Sequence, residues 1–116
     1  MTDKIVVLAT CASAMEARQI ARTLVEQRLA ACINIVQIPV RSIYRWKGSV
    51  ESAKEFLLIM KSSRNKYSAL EREIKRLHSY DVPEIIALPI ERGSRAYLKW
   101  LGESIRPARP QRKPHR

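Results

Sequence analysis

Short apolar runs alternate with stretches of helical periodicity along the chain, and this order constrains the fold more than any other feature of the sequence. The run IVVLA (5–9) is rich in β-branched residues and predicts a central strand covered on both faces. Residues 10–30 change period, because apolar side chains recur there three to four positions apart and predict an amphipathic helix. Ser13 and Glu16 stand at its start in the order S-x-x-E, which predicts a capping box that satisfies two backbone N–H groups.

The middle of the chain predicts two long strands joined by a tight turn. Residues 32–48 are predicted as one long strand, in which Pro39 marks a bulge, a bend or an edge because proline cannot donate to a ladder. The sequence K-G-S at 47–49 is typical of a hairpin turn, and residues 50–61 form the predicted return strand. These strands are longer than the helices can cover, so we expect a partner subunit to cover the remainder.

The last part of the chain predicts a helix, a strand and a further helix. Ser62 or Ser63 is the expected cap of a helix near 64–78, whose apolar stripe is flanked by a charged, solvated face. Residues 84–92 form the predicted last strand, and a short helix follows Ser94.

This order, β-α-β-β-α-β with one C-terminal helix, is that of the ferredoxin-like split βαβ sandwich, an α+β fold. We expect both main helices on one face of a four-stranded antiparallel sheet. The strands are apolar on both faces, and a monomer would therefore expose a large apolar patch. We expect the second face to pack against other subunits in an oligomer.

Positive charge is concentrated at one end of the sequence. The formal net charge is +11, and five of the 22 basic residues lie in the last eleven positions, together with three prolines. We expect residues 1–105 to form a single domain and residues 106–116 to be a disordered basic tail, since the tail has too few apolar residues to bury. Solubility is the simplest role for such a tail, and loose binding of nucleic acid or an anionic surface is the alternative.

The number of cysteines and the hydropathy of the sequence predict in which cellular compartment the protein lies. Two cysteines are too few for a disulfide scaffold in a chain of this size. The first apolar run is too short for the core of a signal peptide, and no run has the length of a membrane span. The sequence therefore predicts a reduced, cytoplasmic protein that does not enter membranes.

Three side chains are candidates for a metal site. Cys11, Cys32 and His78 are the soft or borderline ligands of the predicted domain, and each stands at the end of an element. Thiolates suit Cu(I) and imidazole suits Cu(II), so such a set would favour copper or another divalent cation. None of the three has the close spacing of a zinc motif. Alternatively, Cys32 is a small core residue and Cys11 an idle thiol near a helix N-terminus.

Motifs for catalysis or base recognition are missing from the sequence. The three glycines form neither a phosphate loop nor a G-x-S-x-G turn. The run FLLIMKS (56–62) has one aromatic residue, whereas RNA-binding sheets of this fold stack bases on several. We therefore expect a protein that is not an enzyme and that binds nucleic acid at most weakly, through the tail.

The segment HSYDVPEII (78–86) holds His78 beside a tyrosine, two carboxylates and a proline. Local physics describes it as a turn that ends a helix. His78 can cap the last carbonyls, Asp81 can form a local turn, and Pro83 disfavours helical geometry before it. A ligand or metal site is the alternative interpretation, and the residues alone leave both open.

Several motifs together resemble those of the CutA divalent-cation tolerance proteins. They occur in that family's order from about Ile5 to Leu101: LAACINI (29–35), SIYRWKG (42–48), the run Glu55…Leu58…Lys61, LHSYDVPEIIALPI (77–90) and YLKWL (97–101). The resemblance implies a small cytosolic homotrimer, similar in plan to the nitrogen-regulatory PII signal proteins. It also implies a link to tolerance of copper and other divalent cations.

The resemblance further implies roles for single residues. It places Lys61, Tyr80 and Glu84 in a ligand cleft between subunits, and it makes Trp46 and Trp100 anchors of the subunit interface.

The match to the family's copper site is incomplete. His78 matches the histidine of the motif L-H-x-Y, and Cys32 matches the cysteine of A-A-C-x-N-I. However, the first-strand position that holds a cysteine in some members is Ala9 here, and Cys11 lies two residues later, about 7 Å along a strand.

Two functions follow from the sequence. The first is a CutA-like homotrimer that binds copper or another divalent metal in cytosolic metal tolerance. The second is a PII-like trimer that senses a small anionic or zwitterionic molecule, or binds a protein, without physiological metal.

Overall fold

The computed structural model describes residues 2–107, and within them the predicted order of strands and helices is confirmed. The elements are β1 (Lys4–Cys11), α1 (Ala14–Glu26), β2 (Cys32–Ile35), β3 (Val40–Trp46), β4 (Ser49–Ser63), α2 (Tyr67–Leu77), β5 (Ile85–Pro89) and α3 (Arg95–Ser104). One turn of 3₁₀ helix, Arg64–Lys66, precedes α2. Residues 108–116, which include most of the predicted tail, lie outside the described part of the chain.

The strands form one antiparallel sheet in the order β2-β4-β1-β5, and β3 pairs with the outer half of β4. β1 lies at the centre, where Val7 faces Met60 of β4 on one side and Ala87 of β5 on the other. This topology is the predicted α+β, ferredoxin-like arrangement.

Helices α1 and α2 cover one face of the sheet. The alternate residues Ile5, Val7, Ala9 and Cys11 of β1 are buried on this face, together with Leu58 and Met60 of β4. Helical spacing supplies the opposing layer: Ala17, Ile20 and Leu24 from α1, and Leu70 and Ile74 from α2. The meeting of a two-residue period with a 3.6-residue period thus builds the larger of two buried clusters.

The opposite face of the sheet, here called the open face, is also apolar. It carries Val6, Leu8, Leu57, Ile59, Ile86 and Leu88. Ile86 and Leu88 on the edge strand are 50% and 48% exposed, respectively. The prediction that the strands are apolar on both faces is therefore confirmed for β1, β4 and β5.

The prediction of one strand over residues 32–48 is wrong, and so is the count of four strands. The chain leaves the sheet after Ile35 and re-enters it at Val40, which gives β2 and β3 and five strands among residues 2–107. Pro39 is the last residue of this interruption. Because it has no N–H to donate to β4, regular pairing resumes only at Val40. Both short strands pair with β4, which is 15 residues long.

The predicted serine cap of the second helix is also wrong. Ser62 is buried, and its hydroxyl donates to the carbonyl of Leu29 at 2.6 Å. Ser63 precedes the 3₁₀ turn, but its hydroxyl bonds to Asn65 and caps no backbone N–H. The two hydroxyls instead tie the end of β4 to its neighbours in the fold.

The β3–β4 hairpin extends from the body of the domain. The described chain measures 66 × 34 × 25 Å and has a radius of gyration of 16.4 Å, whereas a compact domain of about 100 residues has roughly 13 Å. Between Thr2 and Pro107, no helix is long and apolar enough to span a membrane.

Candidate functional site

The segment that follows α2 lies at one end of the sheet, where β1 ends and α1 begins. His78, Ser79 and Tyr80 contact Glu16 of α1, the end of β1 and Glu55 of β4. We call the five residues His78, Ser79, Tyr80, Glu16 and Glu55 the 78–80 cluster. The local fold explains their meeting, because the antiparallel path of the chain brings the ends of β1 and α2 to the same edge of the sheet.

His78 has both ring nitrogens in hydrogen bonds. Nε2 lies 2.7 Å from the carbonyl of Thr10, and Nδ1 accepts the backbone N–H of Tyr80 at 3.0 Å. Because a carbonyl only accepts, the ring carries a proton on Nε2, and a carboxylate oxygen of Glu16 lies 3.4 Å from Nδ1. The imidazole side chain is 1% exposed. It therefore acts as a buried bridge between two backbone segments, rather than as the predicted cap of its helix's last carbonyls.

Within the 78–80 cluster, the carboxylate of Glu16 binds Ser79 rather than the N-terminus of its own helix. Ser13 accepts the N–H of Glu16 at 3.1 Å, which is half of the predicted capping box. The carboxylate of Glu16 instead accepts the N–H and the hydroxyl of Ser79, at 3.0 and 2.9 Å. The reciprocal bond of the box was thus the wrong prediction, and Glu16 fastens the loop to α1.

Tyr80 packs against His78, with ring centroids 4.8 Å apart. Burial, and next a hydrogen bond to the carboxylate of Glu55, raise the pKa of Tyr80 to about 12. The phenol is therefore a neutral donor near pH 7. Glu55 is only 7% exposed, and this bond gives its buried carboxylate a partner.

Cys11 lies in the core beside the cluster and is fully buried. Its sulfur is 3.8 Å from the carbonyls of Ser13 and Phe56. Burial, followed by the nearby charges of Glu16 and Glu55, raises the pKa of the thiol to about 11. Near neutral pH the group is a protonated thiol, whereas metals and electrophiles react with the thiolate.

Cys32 lies on the other face of the sheet. It pairs with Lys61 in the register, while its neighbour Ile33 packs against the helix-side core, so alternation directs Cys32 to the open face. The thiol is partly exposed and contacts the hydroxyl of Tyr97. The sheet therefore separates Cys32 from Cys11.

The three predicted ligands do not form one metal site within a single chain. The cysteines lie on opposite faces of the sheet, and neither nitrogen of His78 has a lone pair to offer. Among residues 2–107, no group of three or more His, Cys, Asp or Glu side chains is arranged to hold a metal ion. Metal binding by Cys11, Cys32 and His78 stays a prediction, and it would require a different arrangement of these residues.

The predicted ligand cleft is likewise not assembled by one chain. Lys61 lies six residues beyond Glu55 along β4, which corresponds to about 20 Å from the partner of Tyr80. Its ammonium group donates to the side chain of Asn34. Glu84 is exposed just before β5. A cleft lined by Lys61, Tyr80 and Glu84 therefore stays a prediction for an assembly.

The two predicted interface tryptophans are both half-exposed. Trp46 lies at the end of β3, near the tip of the hairpin, and is 47% exposed. Trp100 lies on α3, 45% exposed, with its ring 5.5 Å from that of Tyr97. These positions leave both rings accessible to a second subunit, and their role as anchors stays a prediction.

Patterns in the sequence did not indicate three members of the cluster: Glu16, Glu55 and Ser79. Glu55 carries a signal of its buried role, since it is a carboxylate at the edge of the apolar run FLLIM on an alternating strand. Glu16 matches a local capping motif, and that match concealed its contact with a residue 63 positions away. No local pattern predicts such a contact.

Comparison with known proteins agrees with the fold. Residues 5–104 match the model of the family described as "CutA1 divalent ion tolerance protein". The "Divalent-cation tolerance protein CutA" of Thermus thermophilus is 52% identical over 99 residues, which cover 85% of this chain and 95% of that protein.

Solved structures agree as well. The "Divalent cation tolerance protein (Cut A1)" of Thermus thermophilus superimposes with a TM-score of 0.85 at 50% identity, over 87% of this chain and 97% of that one. The "Periplasmic divalent cation tolerance protein CutA" of Archaeoglobus fulgidus gives 0.86 at 40% identity, over 89% and 99%. Because that relative is described as periplasmic, a cytoplasmic location stays a prediction here. The family match, the identity and the shared topology together show that the chain belongs to the CutA1 divalent ion tolerance family.

Proposed function

We propose that the chain acts in tolerance to divalent cations as a homotrimer. The observation that carries the proposal is the open face, where Ile86 and Leu88 remain half-exposed beside Val6 and Leu8. Soluble chains seldom leave a continuous apolar sheet face in water, and association with identical subunits covers it.

The hairpin supports the same proposal. Ile43 and Val50 on the β3–β4 hairpin are 72% and 64% exposed, and Trp46 lies next to the turn of this hairpin. An arm that projects from the domain finds few contacts in its own chain, whereas a neighbouring subunit offers a surface for it. The half-exposed Trp100 gives the body of the domain a second aromatic contact of this kind.

Sedimentation velocity tests the assembly. We expect the wild-type protein to sediment as a trimer at micromolar concentration. The variant Ile86→Gln/Leu88→Gln should shift toward monomer, because each side chain is half-exposed in the single chain and each change removes roughly half of the about 1.5–3 kcal/mol that full burial contributes. The matched control is Met15→Gln/Val25→Gln, which changes two exposed apolar residues on α1, in the layer across the sheet from the open face. A stable wild-type monomer, or equal dissociation of both variants, would refute the proposal.

Copper, or another divalent cation, is the ligand that the family relationship suggests for the trimer. Calorimetric titration with copper tests the predicted ligands in the wild type and in Cys11→Ser, Cys32→Ser and His78→Ala. A role for any of them requires weaker binding in its variant, with circular dichroism showing that the variant is folded. Equal and weak binding in all four proteins would remove these residues from metal binding.

A trimer that senses a small molecule or binds a protein is the second candidate. It is favoured by the hydrogen bonding of His78, which leaves the ring no nitrogen for a metal. Thermal shift measurements with metals and with anionic and zwitterionic metabolites distinguish the two functions. Stabilisation by a metabolite that Lys61→Ala or Glu84→Ala abolishes, with metals inert, would establish this second function instead.

A further inference from the structure

A basic groove lies at the end of the domain opposite the 78–80 cluster. It has a volume of about 520 Å³ and lies between the start of β1, the 3₁₀ turn and α3. Lys4 lines this groove, whereas Thr10 at the other end of β1 contacts His78. Six residues of strand separate these two positions by about 20 Å. The groove is therefore distinct from the candidate site.

The charges in the groove do not cancel. Lys4 forms an ion pair with Asp3 at 2.6 Å, and this contact lowers the pKa of the Asp3 carboxyl, so that the pair is ionised and self-neutralised near pH 7. Lys66, Lys99 and Arg106 also line the groove, and none of them has an ion-pair partner within 4.0 Å among residues 2–107. Glu103 is the remaining carboxylate of the described lining. Three cations therefore oppose one anion.

The shape of the groove and the number of its positive charges select the kind of anion. A planar membrane surface does not enter a concave groove, whereas a flexible strand with regularly spaced phosphates follows one. The described chain ends at Pro107, which itself lines the groove. The sequence after Pro107 is also basic, with Arg109, Arg112, Lys113 and Arg116. Lys66, Lys99 and Arg106 place three positive charges in the groove itself, which suits an anion with several phosphates better than a single phosphate.

We propose that this groove binds the sugar–phosphate backbone of single-stranded nucleic acid without sequence preference. The ammonium groups of Lys66 and Lys99 and the guanidinium group of Arg106 neutralise successive phosphates and release their counterions. Among the described residues that line the groove, none is aromatic, so bases find no stacking platform there. Binding is consequently electrostatic and depends strongly on salt. This inference is independent of the proposed role in cation tolerance.

Fluorescence anisotropy with a labelled single-stranded RNA 20-mer tests the proposal, at several salt concentrations and without added metal. The test variant is Lys66→Glu/Lys99→Glu in the full-length chain. Its matched control is Arg18→Glu/Arg22→Glu, which makes the same change in net charge at exposed positions of α1. Sedimentation of all three proteins verifies that they share one oligomeric state.

We expect the groove variant to bind at least about tenfold more weakly than the wild type at low salt, and the control to stay within about threefold. The slope of log K against log salt should fall by about 1.4 for the groove variant, since two phosphate contacts are lost. Equal weakening of both variants would overturn the proposal, because net charge alone would then explain binding. It is likewise overturned if RNA binding is unaffected by either variant, or if anionic vesicles bind in a groove-dependent way and RNA does not. Failure of this experiment leaves the trimer and copper measurements unchanged, so the two proposals fail separately.

Discussion

At the scale of the residue, His78 joins two segments that are distant in sequence. One ring nitrogen donates to the carbonyl of Thr10 at the end of β1, and the other accepts the N–H of Tyr80 just after α2. The buried ring therefore satisfies backbone groups that would otherwise lose their partners away from water. Leaving such a group unsatisfied is more costly than the modest net gain from making the bond.

We predict that His78→Ala lowers the free energy of unfolding by about 1–3 kcal/mol for the unsatisfied Thr10 carbonyl. His78→Gln should recover part of this loss, because its amide N–H₂ can reach the same carbonyl. Urea unfolding monitored by circular dichroism measures both changes. Arg76→Ala serves as control, since its exposed pair with Glu73 should contribute within about 0.5 kcal/mol. A loss in His78→Ala no larger than that of the control would contradict the bridging role.

At the same scale, the ionisation of Cys11 makes the stability of the folded protein depend on pH. Its pKa rises from the ordinary value of 9.0 to about 11 in the folded protein, chiefly because the thiol is buried. Between these two values the unfolded chain has lost the proton and the folded chain retains it. The contribution of Cys11 to stability is therefore complete below pH 9 and is lost as the pH rises to 11.

We predict that the urea midpoint of the wild type falls between pH 8.5 and pH 10.5, and that it falls less in Cys11→Ala. The pKa of Tyr80 also rises to about 12, so Tyr80 lowers the urea midpoint at high pH in both proteins. The difference between the two proteins therefore reports on Cys11. Identical slopes of midpoint against pH in the two proteins would show that the thiol ionises equally in the folded and unfolded states.

At the scale of the element, the β3–β4 hairpin depends on its two-residue turn. Trp46 pairs with Ser49, and the two residues between them both have positive φ, 49° at Lys47 and 83° at Gly48. Two positive φ values define the type I′ turn, whose twist matches that of the flanking strands. Lysine is an unfavourable residue in this conformation, and glycine is a favourable one.

We predict opposite effects for two substitutions in this turn. Gly48→Ala should destabilise the hairpin by about 1–2 kcal/mol, because a Cβ disfavours the left-handed backbone. Apart from Lys47, Ser49 and Gly48 itself, no atom of residues 2–107 lies within 4 Å of the added Cβ, so the cost arises from the backbone conformation. Lys47→Asn should stabilise the turn, since asparagine is preferred at positive φ. Differential scanning calorimetry on the pair measures both, and a destabilised Lys47→Asn would rule out the type I′ interpretation.

At the scale of the whole molecule, the apolar open face and the projecting hairpin support the proposal that identical subunits associate and share their stability. The radius of gyration of 16.4 Å shows how far the arm extends from its own core. If the proposed homotrimer forms, association stabilises the folded state by mass action, so unfolding depends on protein concentration.

We predict that the Tm of the wild type rises with concentration between about 1 and 100 μM subunit, because the folded trimer is favoured over unfolded monomers. Ile86→Gln/Leu88→Gln should have a lower Tm with a weaker dependence on concentration. Differential scanning fluorimetry across the dilution series makes the measurement, and Met15→Gln/Val25→Gln again provides the comparison. A wild-type Tm that is constant over this range would argue for a self-sufficient monomer.

The sequence by itself determined the type and the order of the elements. Strand and helix periods are properties of neighbouring residues. Local patterns therefore predicted the strand IVVLA, helix α1 and the long hairpin. The ferredoxin-like arrangement followed from their order, because few topologies connect such elements with short right-handed links. Only the break at Pro39 altered the strand count.

The tertiary structure alone decided what the chemically active side chains do. Alternation around β2 and β4 places Cys32 on the open face, whereas Cys11 points into the core, and their spacing in the sequence carries no such information. His78 matches a signature motif, yet the carbonyl of Thr10, 68 positions away, occupies its ring nitrogen. Glu16 matches a cap and binds Ser79 instead. The physical reason is common to all three: a hydrogen bond or a shared face depends on which distant segments pack together, and the local pattern of a sequence does not contain that pairing.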